Sequence, residues 1–407
     1  MQLNLNIQLP VIPDRQFEVS KFGDCNDKLT VQRALDTCRD AGGGKVIVPA
    51  GVWHCRALRM YSNTELHFEN GAILEFSPLF SDYLPVVFTR WEGIECYNYS
   101  PLIYGTDCEN LAVTGNGILK GNGQVWWHWK QLQHVAAKKL YDAEANGIPL
   151  KDRVFGTEED ALRPQFIQFI NSRNILISDI RLEDGPQWTI HPVYCENIII
   201  RNIVIDTDGP NTDGLNPDSC RNVLIENSSF ATGDDCIAIN SGMNEDGWRV
   251  NKPCENVLIR HCTMTRGHGG VVIGSGMSGG VRNIFAHDCA IRQTEMGIRL
   301  KSMRGRGGVV ENVEFKDIKV DDIDGVAIQV NMFYGATTID PTSNTPPLFK
   351  NIHIEKISGS GITGIQLKGL PESHLCDITL RNIDISAQDA MQCSDVEGLV
   401  IDNVKLS

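Results

Sequence analysis

The sequence predicts an all-β parallel β-helix, and three observations predict it. A short unit, a polar residue (usually Asn) followed by alternating apolar residues, recurs from the middle of the chain to its end. The Asn positions fall mostly 23 to 29 residues apart, as in 174 to 197, 197 to 222, 256 to 283 and 283 to 312. Each interval holds two or three short Ile- and Val-rich pieces separated by Gly, Asn or Asp, such as Ile198 to Ile205 and then Gly214-Leu215-Asn216. A period in the twenties is the mark of a solenoid. Short strands with polar corners suit one coil of a parallel β-helix. Leucine-rich repeats share the period, but their Leu/Asn pattern is missing. The repeat places one domain over residues 1–407, because a solenoid lengthens by adding coils to one body.

From the N-terminus, Met1 to Asp14 lack a basic start and a continuous apolar run. They do not read as a signal peptide, and no stretch approaches the ~18 apolar residues of a membrane span. The expectation is a cytoplasmic protein, or a secreted or periplasmic one whose signal has been removed. Residues 15–50 read as cap and first coil. Leu29, Ala34, Leu35 and Cys38 have the spacing of an amphipathic helix over Asp27 to Ala41. Gly42-Gly43-Gly44 ends it, and Val46 to Gly51 form the first strand and turn. Residues 123–163 break the pattern with Trp126, Trp127, Trp129 and a helix over Lys130 to Asn146. This is an insertion between coils that borders the cleft; its tryptophans either anchor it or wall the cleft.

The repeats then follow as Arg173-Asn174-Ile175, Glu196-Asn197-Ile198, Arg221-Asn222-Val223, Glu255-Asn256-Val257, Arg282-Asn283-Ile284, Glu311-Asn312-Val313 and Lys350-Asn351-Ile352. Their Asn side chains are expected to stack at a turn as an amide ladder. Thirteen cysteines, with no CxxC pair, read as small apolar core residues rather than a disulfide framework. The net charge of −14 argues against nucleic acid or an anionic membrane as partner. No cofactor and no metal are expected, and the oligomeric state is left open.

Four motifs carry the chemistry, in one order: Asn211-Thr212-Asp213-Gly214, Gly233-Asp234-Asp235, Gly267-His268-Gly269-Gly270 and Arg299-Leu300-Lys301. Residues one period apart become neighbours about 4.8 Å apart on successive coils. Asp213 to Asp234 is 21 residues, Asp234 to His268 is 34 and His268 to Arg299 is 31. Each is one coil, the longer ones with a loop. Crowded carboxylates raise at least one pKa, which leaves one carboxyl to protonate a leaving oxygen and another to activate water. Arg299 and Lys301 flank Leu300 and point the same way on a strand, an arrangement suited to a sugar carboxylate. Taken singly, each motif has a bland reading: a turn Asp, a cation-binding acidic pair, a solvated Arg-x-Lys face.

These motifs resemble those of the polygalacturonase family, glycoside hydrolase family 28. The bacterial exo-polygalacturonases also show stretches similar to Tyr83 to Val87, Glu92 to Glu95, Tyr97 to Leu102 and Gly279 to Asn283. The resemblance implies a right-handed, single-stranded, pectin-lyase-like β-helix. It implies inverting hydrolysis of α-1,4 bonds between galacturonates in pectic polysaccharide or oligosaccharide, with exo action. Carried onto this chain, Asp234 is the general acid, Asp213 and Asp235 activate water, and His268 supports the acid. Arg299 and Lys301 bind the galacturonate carboxylate. An inverting outcome calls for carboxyls roughly 6.5–9.5 Å apart.

Asn211, Gln187, Trp188, His191 and Tyr334 are further candidates for substrate binding, and Arg90 and Arg163 for a second carboxylate holder. A core or coil-edge role stands as the alternative for Gln187, Trp188 and His191. Cys236 lacks the partner that secreted relatives pair after their GDD. A hydrolase of rhamnogalacturonan or another decorated pectin, a calcium-dependent lyase and a non-catalytic carbohydrate-binding β-helix remain the competing readings.

Overall fold

The computed structural model describes residues 5–335, 337 and 343–407. The chain folds as a right-handed parallel β-helix with a capping helix at its N-terminal end. It divides into two compact units, Asn6–Leu215 and Asn216–Ser407.

In the first unit the helix Thr30–Asp40 buries Val31, Ala34, Leu35 and Cys38. It ends where Gly42 and Gly43 take positive φ values of 84° and 108°, conformations that cost a Cβ-bearing residue most. The strand Gly44–Val48 follows as the first coil. Successive coils then stack in parallel with one register: Val46 on Leu66, Leu66 on Val113, Val113 on Ile177 and Ile177 on Ile200. Each of these side chains is at most 1% exposed. The period-2 pattern of the repeat is therefore the core itself: alternate residues fill the bore and the others face out.

The second unit continues the same rule, with Ile225, Ile259, Ala286, Phe315, Ile354 and Leu380 aligned one per coil. The column ends at Ile401, which is 52% exposed on the final strand Val400–Leu406.

The recurring asparagines form the expected ladder. Asn110 donates to Asn63 at 2.9 Å, Asn174 to Asn110 at 3.2 Å and Asn197 to Asn174 at 3.2 Å. In the second unit Asn256 donates to Asn222, Asn283 to Asn256 and Asn312 to Asn283, at 3.1 to 3.2 Å. Every one of them has φ between 54° and 60°. Asn tolerates this left-handed turn better than most residues, so one residue type serves both backbone and ladder.

The insertion holds three short helices, Gln124–Trp127, Trp129–Leu132 and His134–Ala145, where the pattern suggested one. Trp126 and Trp129 are buried against Phe80 and Tyr99, so these two anchor the insert and do not wall a cleft. An antiparallel hairpin of Val87–Trp91 and Ile94–Asn98 was not foreseen. It turns through Glu92 and Gly93 at φ 44° and 90°. The thirteen cysteines are free, and ten of them are buried.

Candidate active site

In the second unit the chain leaves the strand Ser229–Ala231, turns through Asp234 and Asp235, and enters the strand Ile237–Ile239. Thr232 closes this turn by donating its hydroxyl to the Asp234 carbonyl at 2.6 Å. The next coil locks on from above: His268 N–H donates to the Asp234 carbonyl at 3.0 Å, and Cys236 N–H to the Gly269 carbonyl at 2.8 Å. The glycines around His268 are steric requirements. A Cβ on Gly267, at φ +147°, would meet the Asp234 carbonyl at 2.5 Å, and one on Gly269 would meet Asp235 Oδ1 at 2.9 Å.

The side chains separate into two paired sets. His268 Nδ1 lies 3.2 Å from Asp234 Oδ1, and its Nε2 lies 3.6 Å from Glu295. Burial raises the Asp234 pKa, but the His268 hydrogen bond and charge outweigh it and leave the carboxyl below its ordinary value. The same bond to Asp234 raises the His268 pKa. Both shifts favour the same form, a carboxylate against an imidazolium. The crowding argument expected a raised carboxyl, and for Asp234 the direction is reversed because imidazolium sits closer than the competing anions.

The second set surrounds Asp235. Lys301 Nζ donates to Asp235 Oδ2 at 2.7 Å, with the two side chains 8% and 3% exposed. Burial opposes the Lys301 charge, but Asp235 outweighs it and the ammonium pKa rises. Asp235 Oδ1, by contrast, is buried with no hydrogen-bond partner. Arg299 Nη1 stays 3.7 Å from it, and Arg299 Nε donates instead to Gln329 Oε1 at 3.1 Å. Tyr334 lies under both cations, its ring centre 5.8 Å from Arg299 Cζ and 5.1 Å from Lys301 Nζ.

An oxygen of Asp234 and one of Asp235 lie within 4.8 Å of each other. The two residues are sequence neighbours on one turn, which brings these oxygens close.

The other candidates lie in the first unit. Asp213 is 4% exposed, and its carbonyl accepts from Thr189 N–H at 2.8 Å. Asn211 takes φ 55° and accepts from Arg163 Nη2 at 2.7 Å. Arg163 is fully buried, and it also donates to Gln133 of the insertion and to the Pro186 and Pro210 carbonyls. It is a brace for the Asn211 turn, not a free carboxylate holder. Arg90 is likewise fully buried, bonded to the Gly93 carbonyl and stacked over Tyr194. Gln187 and His191 are both 0% exposed. Gln187 donates to Glu92 at 3.2 Å, and His191 Nδ1 meets Gln168 Nε2 at 2.9 Å. Trp188 is the part-exposed member of that trio, edge-on to His191 at 4.7 Å.

Sequence reasoning missed Thr232, Glu295 and Gln329. The signal for Gln329 was present: it lies 30 residues after Arg299, one coil on.

The profile of glycosyl hydrolases family 28 matches residues 38–405. The chain belongs to glycosyl hydrolase family 28. Among family members, an exopolygalacturonase from Thermotoga maritima is 37% identical and superposes with a TM-score of 0.94, over 98% of this chain and 94% of that one. A probable polygalacturonase of Vitis vinifera is 30% identical over 88% of this chain and 71% of its own length. An exo-poly-alpha-D-galacturonosidase of Dickeya chrysanthemi is 25% identical over 98% of this chain and 71% of its own.

Proposed function

We propose that this family 28 protein hydrolyses α-1,4 bonds between galacturonates in pectic chains, with inversion, and releases galacturonate from a chain end. The observation that carries the chemistry is Asp235. One of its oxygens is held by Lys301 while the other is buried without a partner. A desolvated, unpaired carboxylate oxygen is costly, and an attacking water that donates to it satisfies it. Asp235 Oδ1 then takes the proton as that water adds to the anomeric carbon.

Asp234 supplies the other proton. Below the raised His268 pKa, that proton resides on His268 in the free site. A sugar that covers the pair removes water, and low dielectric disfavours separated charges. The proton passes from Nδ1 to Oδ1 over 3.2 Å, and the now neutral Asp234 delivers it to the glycosidic oxygen. Arg299 and Tyr334 receive the sugar carboxylate and ring face. Lys301 is the more buried cation and holds the base. Exo action rests on the relatives from Thermotoga maritima and Dickeya chrysanthemi, whose names specify it.

Product analysis on polygalacturonate and tri-galacturonate, with chelator, tests this directly. Saturated galacturonate appearing from the outset, and lost in Asp234→Asn, supports the reading. Mixed oligomers would make the enzyme endo-acting, and unsaturated products would make it a lyase. Activity confined to decorated pectin would move the substrate. Proton NMR of the first product anomer decides the stereochemistry: β-galacturonate for inversion, α for retention.

A further inference from the structure

Arg299 is held between two acceptors. Its Nε donates to Gln329 Oε1 at 3.1 Å, while Nη1 stops 3.7 Å short of Asp235 Oδ1. A guanidinium carries donors only, so the Gln329 atom facing it must be the carbonyl oxygen. The amide nitrogen then faces the next coil, where it donates to Gln366 Oε1 at 3.0 Å. Gln366 Oε1 also accepts from Asn331 at 3.1 Å, and Gln366 Nε2 donates onward to Gln392 at 2.9 Å. Residues 299, 329, 366 and 392 share one register position on four successive coils. The amide orientation is thus set from the C-terminal side and ends on Arg299. Gln329 is 6% exposed, so water is a poor substitute acceptor.

Without this anchor, the pull on Arg299 is one-sided. Asp235 Oδ1 is an anionic, buried acceptor without a partner, and a direct charge-assisted bond to it is the strongest one within reach. That bond would occupy the lone pair the attacking water needs. It would also turn the guanidinium away from Tyr334, where the sugar carboxylate is received.

We infer that Gln329 is a positioning residue that holds Arg299 off Asp235, which keeps the base open and the guanidinium presented to a uronate carboxylate. This deepens the functional reading given above and rests on it. The amide column from Gln329 to Gln392 runs in the same sense, each amide presenting oxygen towards Arg299 and nitrogen away from it, while the hold itself is the Gln329 carbonyl.

The test compares Gln329→Met with Gln366→Met. The first removes the acceptor for Arg299 at nearly constant volume. The second cuts the column one coil further on and leaves that acceptor in place. Crystal structures of both variants and steady-state kinetics on tri-galacturonate across pH provide the readouts. In Gln329→Met, Arg299 closes to within hydrogen-bond distance of Asp235 and KM rises on the order of tenfold, as for loss of a hydrogen bond to a charged group. kcat falls because the lone pair that the attacking water needs is now occupied. Gln366→Met changes KM by less than about threefold.

An unmoved Arg299 in Gln329→Met, or equal kinetic effects in the two variants, overturns the inference. If Gln329→Met does not fold, Gln329→Asn decides, since the shorter side chain withdraws the acceptor from Arg299 Nε: wild-type KM there overturns the inference and a tenfold rise supports it. A wild-type enzyme inactive on galacturonate chains defeats the functional reading alone, and the Arg299–Asp235 distance in Gln329→Met still decides this one.

Discussion

Two columns of polar side chains run along the coils of the second unit, and they behave differently. In the asparagine ladder, Asn222, Asn256, Asn283 and Asn312 repeat one residue in one conformation, and the inner amides of Asn256 and Asn283 both donate and accept. Where the glutamine column reaches the active site the residues are unlike: Gln329 meets Arg299, and Arg299 lies 3.7 Å from Asp235. Their demands do not cancel, and Asp235 Oδ1 remains without a partner. Repetition satisfies polar groups and yields stability. Breaking the repetition leaves one group unsatisfied, and that group is available for chemistry.

The sharpest way to break the comparison is to remove the acid. Asp234→Asn is expected to lower kcat by ~10²–10⁴-fold, the usual worth of a positioned acid, with an unchanged circular dichroism spectrum. A thermal melt displaced by many degrees would instead make Asp234 structural.

Lys301→Met comes next, because Lys301 is the cation that pairs Asp235. It leaves Asp235 as an unpaired buried charge, which costs ~3–5 kcal/mol, and activity is lost with it. Urea unfolding checks the stability, and the double variant Lys301→Met/Asp235→Asn should recover most of it.

On the ladder side, Asn283→Ala removes a bond to each neighbour and places Ala at φ 58°. It is expected to cost ~2 kcal/mol in denaturant unfolding, with kcat and KM unchanged. A selective loss of kcat would erase the distinction between the columns.

The smallest effect is pH-dependent. The folded His268 pKa is raised above the ordinary 6.5, so its contribution is full below 6.5 and disappears as pH rises through the folded value. The folded Asp234 pKa is lowered below 3.8, so its contribution is present above 3.8 and disappears as pH falls through the folded value. The stability difference between wild type and His268→Ala should therefore be greatest between pH 3.8 and 6.5 and shrink towards pH 9. A difference that grows with pH would mean His268 is not paired as an imidazolium.

Much of this was legible in the sequence because a solenoid writes its contacts at a fixed interval. The Asn period specified the ladder, and alternating Ile and Val specified the bore. The interval from Asp234 to His268 specified neighbours on successive coils, whereas Arg299 falls opposite Val272 and the neighbour of His268 on that coil is Glu295. The capping helix was legible for a different reason: its apolar spacing and terminal glycines are local signals. The hairpin at Glu92 was not, since it interrupts the period and pairs strands antiparallel.

The sequence alone thus determined the coil, its period and the set of titratable groups on one face. The tertiary structure decided the protonation and partner of each. Asp234 is an anion because His268 approaches to 3.2 Å. Lys301 belongs to Asp235 and Arg163 to the Asn211 turn because burial leaves each cation the nearest acceptor. Such choices depend on differences of an ångström or less between competing partners, and a residue interval fixes which coil a side chain sits on but not which oxygen it reaches.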